Sequence, residues 1–362
     1  MTEEQESGAP RGSCCSVSRS DPVVAGARGG LPRKGRAGRD VKLAVEDVDL
    51  AATGGDTRVA AIREVSDAAH FDQEKLPRHD SVLLSGGVFS RGDAFREGYP
   101  FDGELPVREV FVSPFSIDRA PVTVAQFAAF VNATGYVTEA ERDGYSAVFH
   151  LAVNAPSVAI LGTAPATPWW VFVTGAEWRF PSGRGEGAVN FLELLTHPVT
   201  HVTHRDAVSY CLWAGRRLPT ETEWEYAARG GLVGARYAWG DELTPGGAQS
   251  CNIWQGVFPD HNTALDGYVT TSPVGTYRPN GFGLVDVAGN VWEWCADWFS
   301  VDAYRSRESR DPLGPVRGDR RIIRGGSYLC HESYCNRYRV AARSHADPSS
   351  PSGNIGFRTV AL

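Results

Sequence analysis

Two cysteines near the C-terminus have the residue type and the spacing from which we expect chemistry. Cys330 and Cys335 lie five residues apart in the stretch R-G-G-S-Y-L-C-H-E-S-Y-C-N-R-Y-R-V-A-A-R, residues 324–343. Cysteine is scarce in this chain, with seven among 362 residues. Two neighbouring thiols can form a disulfide, act as a redox dithiol, or bind a soft ion of low coordination number, above all Cu(I). Residue types alone do not favour the copper site over the redox dithiol, or the reverse.

The surroundings of the pair bear on these alternatives. Structural zinc takes four ligands, and no second close cysteine pair exists in the part of the chain that we expect to fold. An odd number of cysteines spread over a long chain is not a disulfide framework. We therefore predict a reducing, cytoplasmic compartment, which disfavours a permanent disulfide. Arg337, Arg339 and His331 flank the pair in sequence, and their positive charge would make a thiolate easier to form.

Two upstream clusters offer hard oxygen ligands. The first comprises Asn252 and Ile253, followed by Asp266 and Tyr268, and the second is D-V-A-G-N-V-W-E at residues 286–293. Carboxylates, amides and backbone carbonyls held by turns are the ligands that calcium prefers. Neither cluster matches an EF-hand loop, and either could be an ordinary Asx-turn. Spacing alone leaves calcium as one interpretation of each.

Two further patterns are weaker. His197, His201 and His204 have a spacing that a metal could use, but Pro198 follows the first, and no carboxylate stands where a zinc hydrolase helix has one. A surface or core role is the simpler interpretation of these histidines. Residues 183–187 alternate glycine with other residues but precede no clear helix, which argues against a phosphate-binding loop.

Composition excludes several classes of function. The net charge is −7, whereas nucleic-acid binding as the main task requires a basic face. No run of about 18 uncharged apolar residues exists, so we expect no membrane span. The sequence opens M-T-E-E without an apolar region after it, so we expect no secretory signal. Hydrophobic residues make up 42% of the chain, as in ordinary globular proteins.

The elements that must position these residues begin late in the chain. Residues 1–78 are rich in Gly, Ala, Ser and Arg and contain no aromatic residue before Phe71, so we predict a disordered extension followed by one domain, residues 79–362. Few short helices beside many short strands predict an α+β class. The predicted strands are a strand-turn-strand over Ser81–Ser90, a strand over Val107–Ile117 and a strand over Arg321–Arg324. The predicted helices are Val124–Val131, capped by Thr123, Asp206–Ala214, and a third that begins after the capping box of Thr220 and Glu223 and ends at Gly230. The region over Tyr145–Leu195 is predicted to be mostly loop.

The chain resembles the formylglycine-generating enzymes, the oxidases that activate sulfatases. The C-H-x-S-Y-C string at residues 330–335 is specific to this oxidase branch, whereas R-L-P-T-E-x-E-W-E and G-N-x-W-E-W mark only a broader superfamily that includes non-enzymatic paralogues. The resemblance covers about Ser81 to the C-terminus. Its strings are residues 127–135, 215–226, 252–256, 281–294, 325–343 and 353–358.

The resemblance implies an oxidoreductase that acts on a peptidyl cysteine with O2 and an external reductant. Cys330 and Cys335 would bind Cu(I), and the thiolate of a substrate cysteine would be the third ligand. That cysteine would lie in a Cys-x-Pro-x-Arg sequence of an unfolded sulfatase and would become Cα-formylglycine, a post-translational modification. Ser327 would sit against the reacting sulfur, Trp292 would wall the pocket, and Asn354 would help to hold the substrate.

The resemblance also implies calcium, a fold and an assembly state. One Ca²⁺ would be bound by Asn252, Ile253, Asp266 and Tyr268, and a second by Asp286, Gly289, Val291 and Glu293. The fold would be a single elaborated C-type-lectin-like domain, low in regular secondary structure, and we expect a monomer.

This chain departs from the family pattern at a few positions. Val340 and Thr359 stand where vertebrate members have structural cysteines, as expected for a cytoplasmic protein, and His204 replaces a usual tryptophan. Two other functions therefore remain as alternatives: a calcium-stabilised binding paralogue without catalysis, and a metal-free thiol oxidoreductase.

Overall fold

The computed structural model describes residues 78–362 of the chain. The predicted N-terminal extension, residues 1–78, therefore lies outside the described residues except for Arg78. No helix within the described part is both long enough and apolar enough to cross a membrane.

Short helices with strong end signals pack beside the sheets. Each begins after a threonine whose hydroxyl accepts a hydrogen bond from the third helical residue, and that residue's side chain accepts one from the threonine N–H in return. Three of the four end at a glycine in the left-handed conformation, which removes the cost of a side chain there. The helices are α1 (Val124–Thr134), α2 (Glu139–Asp143), α3 (His204–Trp213) and α4 (Glu221–Arg229).

The strands are short and form five separate sheets within the described residues. The strands are β1 (Ser81–Leu84), β2 (Gly87–Arg91), β3 (Arg108–Val112), β4 (Phe115–Asp118), β5 (Tyr145–Phe149), β6 (Ile160–Ala164), β7 (Thr167–Thr174), β8 (Arg216–Arg217), β9 (Gly256–Val257), β10 (His261–Asn262), β11 (Trp292–Trp298), β12 (Arg321–Arg324), β13 (Arg343–Ala346), β14 (Ile355–Gly356) and β15 (Val360–Ala361). The sheet orders are β1-β4-β15-β8, β2-β3, β5-β7-β6, β9-β10 and β13-β12-β11-β14. These elements confirm the α+β class.

The predicted strand-turn-strand at the start of the domain has the right strands and the wrong pairing. β1 pairs with β4, whereas β2 pairs with β3, so the two neighbours do not form a hairpin. Gly86, at φ 67°, lies so close to the carbonyl oxygen of Val112 that a Cβ would clash. The chain therefore crosses from one sheet to the next at Gly86. The predicted strand over Val107–Ile117 is likewise two strands, β3 and β4.

The region over Tyr145–Leu195, predicted to be mostly loop, instead contains a three-stranded antiparallel sheet. β7 is its central strand and pairs with β5 on one side and with β6 on the other. Bulges interrupt the β6–β7 register, and the run T-P-W-W opens β7, which is why alternation was hard to recognise in sequence. This sheet supplies one wall of the site described below.

The side chains of strand β11 belong to two different buried clusters. Alternate residues of a strand point to opposite faces, so Trp292 and Trp294 join one buried cluster, while Cys295 joins another. The first cluster also contains Cys330 and Cys335. Strands β11 and β12 therefore contribute to the same core cluster as the cysteine pair, through Trp292, Trp294 and Ile323.

Candidate functional site

The two cysteines lie on the connection between β12 and β13. These strands pair antiparallel, with Arg324 opposite Arg343, so residues 325–342 leave and re-enter the sheet at the same place. Gly325 and Gly326, at φ 93° and 76°, begin the connection. A Cβ on Gly325 would stand 3.1 Å from the Trp224 ring, so the double glycine permits both the turn and the close approach.

The sulfur atoms of Cys330 and Cys335 converge inside this connection. They lie 3.0 Å apart, well beyond the bond length of about 2.05 Å in a disulfide. Both residues are buried, each at 1% exposure. Local hydrogen bonds hold them, because the Cys335 N–H donates to the carbonyl of His331 at 2.7 Å and the Cys330 N–H to that of Ser327 at 2.9 Å. Two soft donor atoms are thereby placed side by side, which fits an ion that accepts two thiolates.

Ser327 and Asn354 lie beside the cysteines. The Ser327 N–H points at the Cys330 sulfur at 3.4 Å, and its Oγ accepts from Asn354 Nδ2 at 3.3 Å. Asn354 comes from a distant part of the chain, just before β14, where its carbonyl accepts the N–H of Trp292 at 2.8 Å. The parallel pairing of β14 with β11 is therefore what brings Asn354 to Ser327.

A small pocket opens onto the two sulfurs, and aromatic rings form its walls. Its lining residues are Ser327, Leu329, Cys330, Cys335, Asn354, Trp169, Trp170, Phe258 and Tyr334. The rings of Phe258 and Tyr334 stack with centroids 4.1 Å apart, and Trp169 meets Tyr334 edge-on at 5.0 Å. Trp292, predicted as a wall, is absent from this lining and lies fully buried in the core cluster that contains the cysteines.

Sequence reasoning missed the four aromatic walls. Trp169 and Trp170 belong to β7, within the region predicted to be loop, and Phe258 follows the short strand β9. The continuous apolar run W-W-V-F-V at residues 169–173 was the available signal for a buried strand. Nothing in the spacing of residues 169, 258 and 334 predicts that they meet.

The charge around the thiols differs from the prediction. Arg337 does reach the site, with Nη1 3.8 Å from the Cys335 sulfur, and its Nε donates to Asp102 at 2.6 Å. Arg339 instead pairs with Glu104 at 2.8 Å through Nη1. Burial raises the pKa of Asp102 to about 6, although the hydrogen bond and charge of Arg337 act in the opposite direction. Arg337 therefore lies near the Cys335 thiol and also pairs with the Asp102 carboxylate, whereas Arg339 is directed to Glu104. This arrangement differs from the cluster of positive charge expected from the sequence.

The two predicted calcium clusters meet each other and touch the cysteine connection. Asn252 and Gly289 form a parallel bridge, in which the Asn290 N–H donates to the Asn252 carbonyl at 2.8 Å. The Tyr328 N–H donates to the Asn290 carbonyl at 3.0 Å, and the Gly289 N–H to that of Gly325 at 2.9 Å. An ion bound here would stabilise the backbone from which the cysteine connection starts.

The first cluster fits a hard cation. Asn252 is 1% exposed, and its Oδ1 is a buried oxygen with no hydrogen-bond partner among the described residues. Its Nδ2 donates to the carbonyl of Thr270 at 2.8 Å, which fixes the amide so that Oδ1 faces away. Asp266 lies nearby, since its Oδ2 accepts the Ile253 N–H at 3.3 Å. Both oxygens of Asp266 already accept hydrogen bonds, Oδ2 also from Gln255 Nε2 at 2.8 Å and Oδ1 from the Tyr268 N–H at 3.0 Å. The buried, unpaired amide oxygen of Asn252 is therefore the feature that fits calcium.

The second cluster fits less well. Glu293 is fully buried, and its carboxylate accepts from Arg358 through Nε at 2.6 Å and Nη2 at 2.7 Å, and from Trp224 at 2.8 Å. Asp286 Oδ2 accepts the Gly275 N–H at 2.7 Å. No side-chain oxygen of this set is unpaired, so an ion here would compete with an internal ion pair. Calcium binding at both clusters stays a prediction.

The three histidines do not converge. His197 bonds Thr271, His201 bonds Ser146 and the Pro181 carbonyl, and His204 bonds the Cys295 carbonyl. Burial lowers the pKa of His201 to about 4. Among the described residues, no group of three or more His, Cys, Asp or Glu side chains could hold a metal ion. A core role for these histidines agrees with the simpler interpretation.

Known proteins resemble this chain over the described domain. The family described as sulfatase-modifying factor enzyme 1-like domain (FGE-sulfatase) matches residues 67–361. The formylglycine-generating enzyme of Streptomyces coelicolor is 62% identical over 277 residues, which are 76% of this chain and 87% of that protein. A Mus musculus protein named inactive C-alpha-formylglycine-generating enzyme 2 is 44% identical over 280 residues, 76% of this chain and 84% of that protein.

The similarity to one solved structure supports the fold alone. The structure of PvdO from Pseudomonas aeruginosa has a TM-score of 0.56 at 24% identity, and the match covers 80% of this chain and 96% of that one. The likeness agrees with the expected elaborated C-type-lectin-like domain, low in regular secondary structure.

Proposed function

The chain belongs to the sulfatase-modifying factor enzyme 1-like family, and from this premise we propose that it oxidises a cysteine of sulfatases to Cα-formylglycine. The substrate is an unfolded sulfatase segment with a Cys-x-Pro-x-Arg sequence. The observation that carries the proposal is the pair of buried sulfurs, 3.0 Å apart, at the bottom of an aromatic pocket. The proposed setting is cytoplasmic, and the proposed working form is a monomer.

Cys330 and Cys335 are the residues that would hold copper. Two thiolates are soft donors, and a site with two of them leaves a third position to a substrate thiolate. When bound there, Cu(I) supplies the one-electron chemistry by which O2 and the substrate cysteine react. Overall, O2 is reduced to water while CH2SH becomes CHO and sulfide leaves, with half of the electrons coming from the substrate and half from an external reductant.

Ser327 is poised to donate a hydrogen bond into the pocket. Its Oγ accepts two hydrogen bonds, from the Leu329 N–H at 3.3 Å and from Asn354 Nδ2 at 3.3 Å. A hydroxyl has one proton to donate, and these contacts occupy its accepting side. The O–H can therefore turn toward a substrate thiolate, where a charge-assisted hydrogen bond would orient the sulfur.

The aromatic walls shape the pocket beside the two sulfurs. Trp169, Phe258 and Tyr334 pack edge-on and stacked around the mouth, so an extended peptide would lie against rings rather than against flexible side chains. This geometry favours insertion of a single cysteine side chain from an extended segment.

Co-expression with a sulfatase that carries Cys-x-Pro-x-Arg tests the proposal. Peptide mass spectrometry of the purified sulfatase should show formylglycine in place of the cysteine, and should show none when the chain is left out. Complete absence of formylglycine with the chain present would favour the non-catalytic binding paralogue. That alternative is a real one, because a relative named inactive is 44% identical.

Calcium should stabilise the protein through the first cluster. A ligand that binds only the folded state raises the free energy of unfolding by about 2.7 kcal/mol at roughly one hundred times Kd. We expect Ca²⁺ to raise the Tm of the wild type in thermal unfolding and EDTA to reverse it. Asn252→Leu should abolish the Ca²⁺ response, because it removes the unpaired Oδ1.

Asn280→Leu is the matched control for this experiment. Asn280 is also a loop amide held by its neighbours, since its Nδ2 donates to the carbonyls of Ala227 and Ala228 and its Oδ1 accepts the N–H groups of Phe282 and Leu284. It should lower the Tm and keep the Ca²⁺ response. A full Ca²⁺ response in Asn252→Leu would contradict the assignment of the first cluster.

A further inference from the structure

One glutamine side chain contacts two of the residues predicted to bind the first calcium ion. Gln255 is half-buried, and its carboxamide lies against the turn that contains Asp266. Its Nε2 donates to the Ile253 carbonyl at 2.6 Å and to Asp266 Oδ2 at 2.8 Å. Its Oε1 accepts the Asp266 N–H at 3.3 Å. Both polar atoms of this one amide group are therefore used on the predicted ligands.

These contacts determine which oxygen lone pairs stay open. A carboxylate oxygen and a carbonyl oxygen each have two lone pairs. Asp266 Oδ2 accepts two hydrogen bonds, from the Ile253 N–H at 3.3 Å and from Gln255, whereas Oδ1 accepts one, from the Tyr268 N–H at 3.0 Å. The Ile253 carbonyl accepts one, from Gln255. Within the described residues, Asp266 Oδ1 and the Ile253 carbonyl therefore each keep one open position for a cation.

The carboxylate of Asp266 needs such support because it belongs to a surface turn. Asp266 is half-buried, Leu265 before it is 71% exposed, and the Gly267 N–H closes the turn onto the Ala264 carbonyl at 2.9 Å. A side chain on such a turn loses rotamer freedom when it binds an ion. A hydrogen bond that already fixes the rotamer removes part of that cost, so the ion binds more tightly.

We propose that Gln255 is a positioning residue for Ca²⁺ at the first cluster. Its carboxamide fixes the Ile253 carbonyl and the Asp266 carboxylate, which act together with the buried, unpaired Oδ1 of Asn252. Groups that hydrogen-bond the ligands of a metal change its affinity by about 10- to 100-fold when they are removed. The inference rests on the calcium binding proposed above, and not on the oxidation of a peptide.

The test is calorimetric titration of the full-length protein with Ca²⁺, after bound divalent ions are removed with EDTA and the chelator is removed by dialysis. The part of the wild-type binding that Asn252→Leu abolishes identifies the first cluster. Gln255→Leu should raise the Kd of that site by about 10- to 100-fold. Gln255→Met also lacks the amide but keeps an unbranched side chain. It should give the same result, and it serves as the second variant if Gln255→Leu does not fold.

Asn262→Leu is the matched control, because Asn262 holds the same loop through different atoms. Its Oδ1 accepts the backbone N–H groups of Gln255 and Ala264 at 3.3 and 3.0 Å, so these contacts do not involve the Gln255 carboxamide. Asn262→Leu should lower the Tm of the calcium-free protein, as Gln255→Leu does. Its Kd for Ca²⁺ should stay at the wild-type value, which separates the orientation of the ligands from the stability of the loop.

Four results would overturn the inference. The wild type binds no Ca²⁺ at the first cluster, both Gln255 variants bind it as tightly as the wild type, or Asn262→Leu weakens binding as much as Gln255→Leu. The fourth is tighter binding in Gln255→Leu, which would mean that Nε2 competes with the ion for the two oxygens.

The assay contains neither copper nor a peptide substrate, so it separates this inference from the proposed oxidation. Weaker calcium binding in Gln255→Leu, in a protein that makes no formylglycine, would support the inference while contradicting the proposed function. Formylglycine made by a protein whose calcium affinity does not depend on Gln255 would do the reverse.

Discussion

Cys330→Ser and Cys335→Ser are each expected to lower conversion of a Cys-x-Pro-x-Arg peptide by about three orders of magnitude or more. A serine oxygen is a hard, protonated donor and does not replace a thiolate at a soft ion. The two sulfurs are adjacent at 3.0 Å, and the proposed copper centre requires both, so we expect the double variant to be no worse than either single one. Product formation by mass spectrometry, at equal concentrations of folded protein, is the measurement.

Cys251→Ser is the control for this prediction. Cys251 is 3% exposed and belongs to the same buried cluster as the pair, but it lies outside the pocket lining. Its replacement should cost some stability and leave turnover near the wild-type value. Turnover retained in either Cys330→Ser or Cys335→Ser would contradict a centre that needs both thiolates.

Glu221→Gln is expected to cost the largest amount of stability, about 3–5 kcal/mol in the free energy of unfolding. The fully buried carboxylate accepts from Arg91 at 2.9 Å, Arg324 at 3.1 Å and Arg343 at 2.6 Å. Arg324 and Arg343 are the paired residues at which the cysteine connection leaves and re-enters the sheet. Loss of the charge therefore leaves buried guanidiniums under-compensated at the base of the site. Denaturant unfolding at neutral pH measures the effect.

A partly exposed ion pair provides the comparison. Glu97 and Arg236 are 2.7 Å apart, with side chains 33% and 26% exposed, so Glu97→Gln should cost no more than about 1 kcal/mol. Equal losses in Glu97→Gln and Glu221→Gln would contradict the role assigned to the buried cluster.

Glu221 also makes the free energy of unfolding depend on pH in the acidic range. Burial alone would raise the pKa of Glu221, but Arg343, Arg91 and Arg324 together lower it to about 2. A folded-state pKa below the unfolded value stabilises the fold above the unfolded pKa of about 4.3, and this contribution is lost as pH falls toward 2. Glu225 behaves in the same way. In Glu221→Gln, the fall in stability between about pH 4.5 and 2 should be shallower than in the wild type.

Local signals in the sequence predicted local structure well. Thr123 and Thr220 cap their helices as the spacing indicated, and Arg321–Arg324 forms the predicted strand. These features depend on hydrogen bonds within a few residues, which a motif contains in full. The predicted site residues Ser327 and Asn354 do contact each other, and both line the pocket with the cysteines.

Long-range pairing could not be predicted in this way. The partner of β1 is β4 and not its neighbour β2, because the pairing depends on which faces are buried in the finished core. For the same reason, no spacing rule linked Asp102 to Arg337, or Trp169 to Tyr334. The residues that shape and charge the pocket come from strands and loops that meet only after folding.

The most direct test of the central claim is an aerobic reaction with a synthetic Cys-x-Pro-x-Arg peptide, run with and without Cu(I) and with a thiol reductant. The account predicts that the peptide loses the mass that separates CH2SH from CHO only when Cu(I) is present, and that Cys330→Ser and Cys335→Ser give no such loss. The same loss from rigorously copper-free wild type would contradict the copper centre. Oxidation of the peptide to a disulfide without that loss would instead indicate a metal-free thiol oxidoreductase.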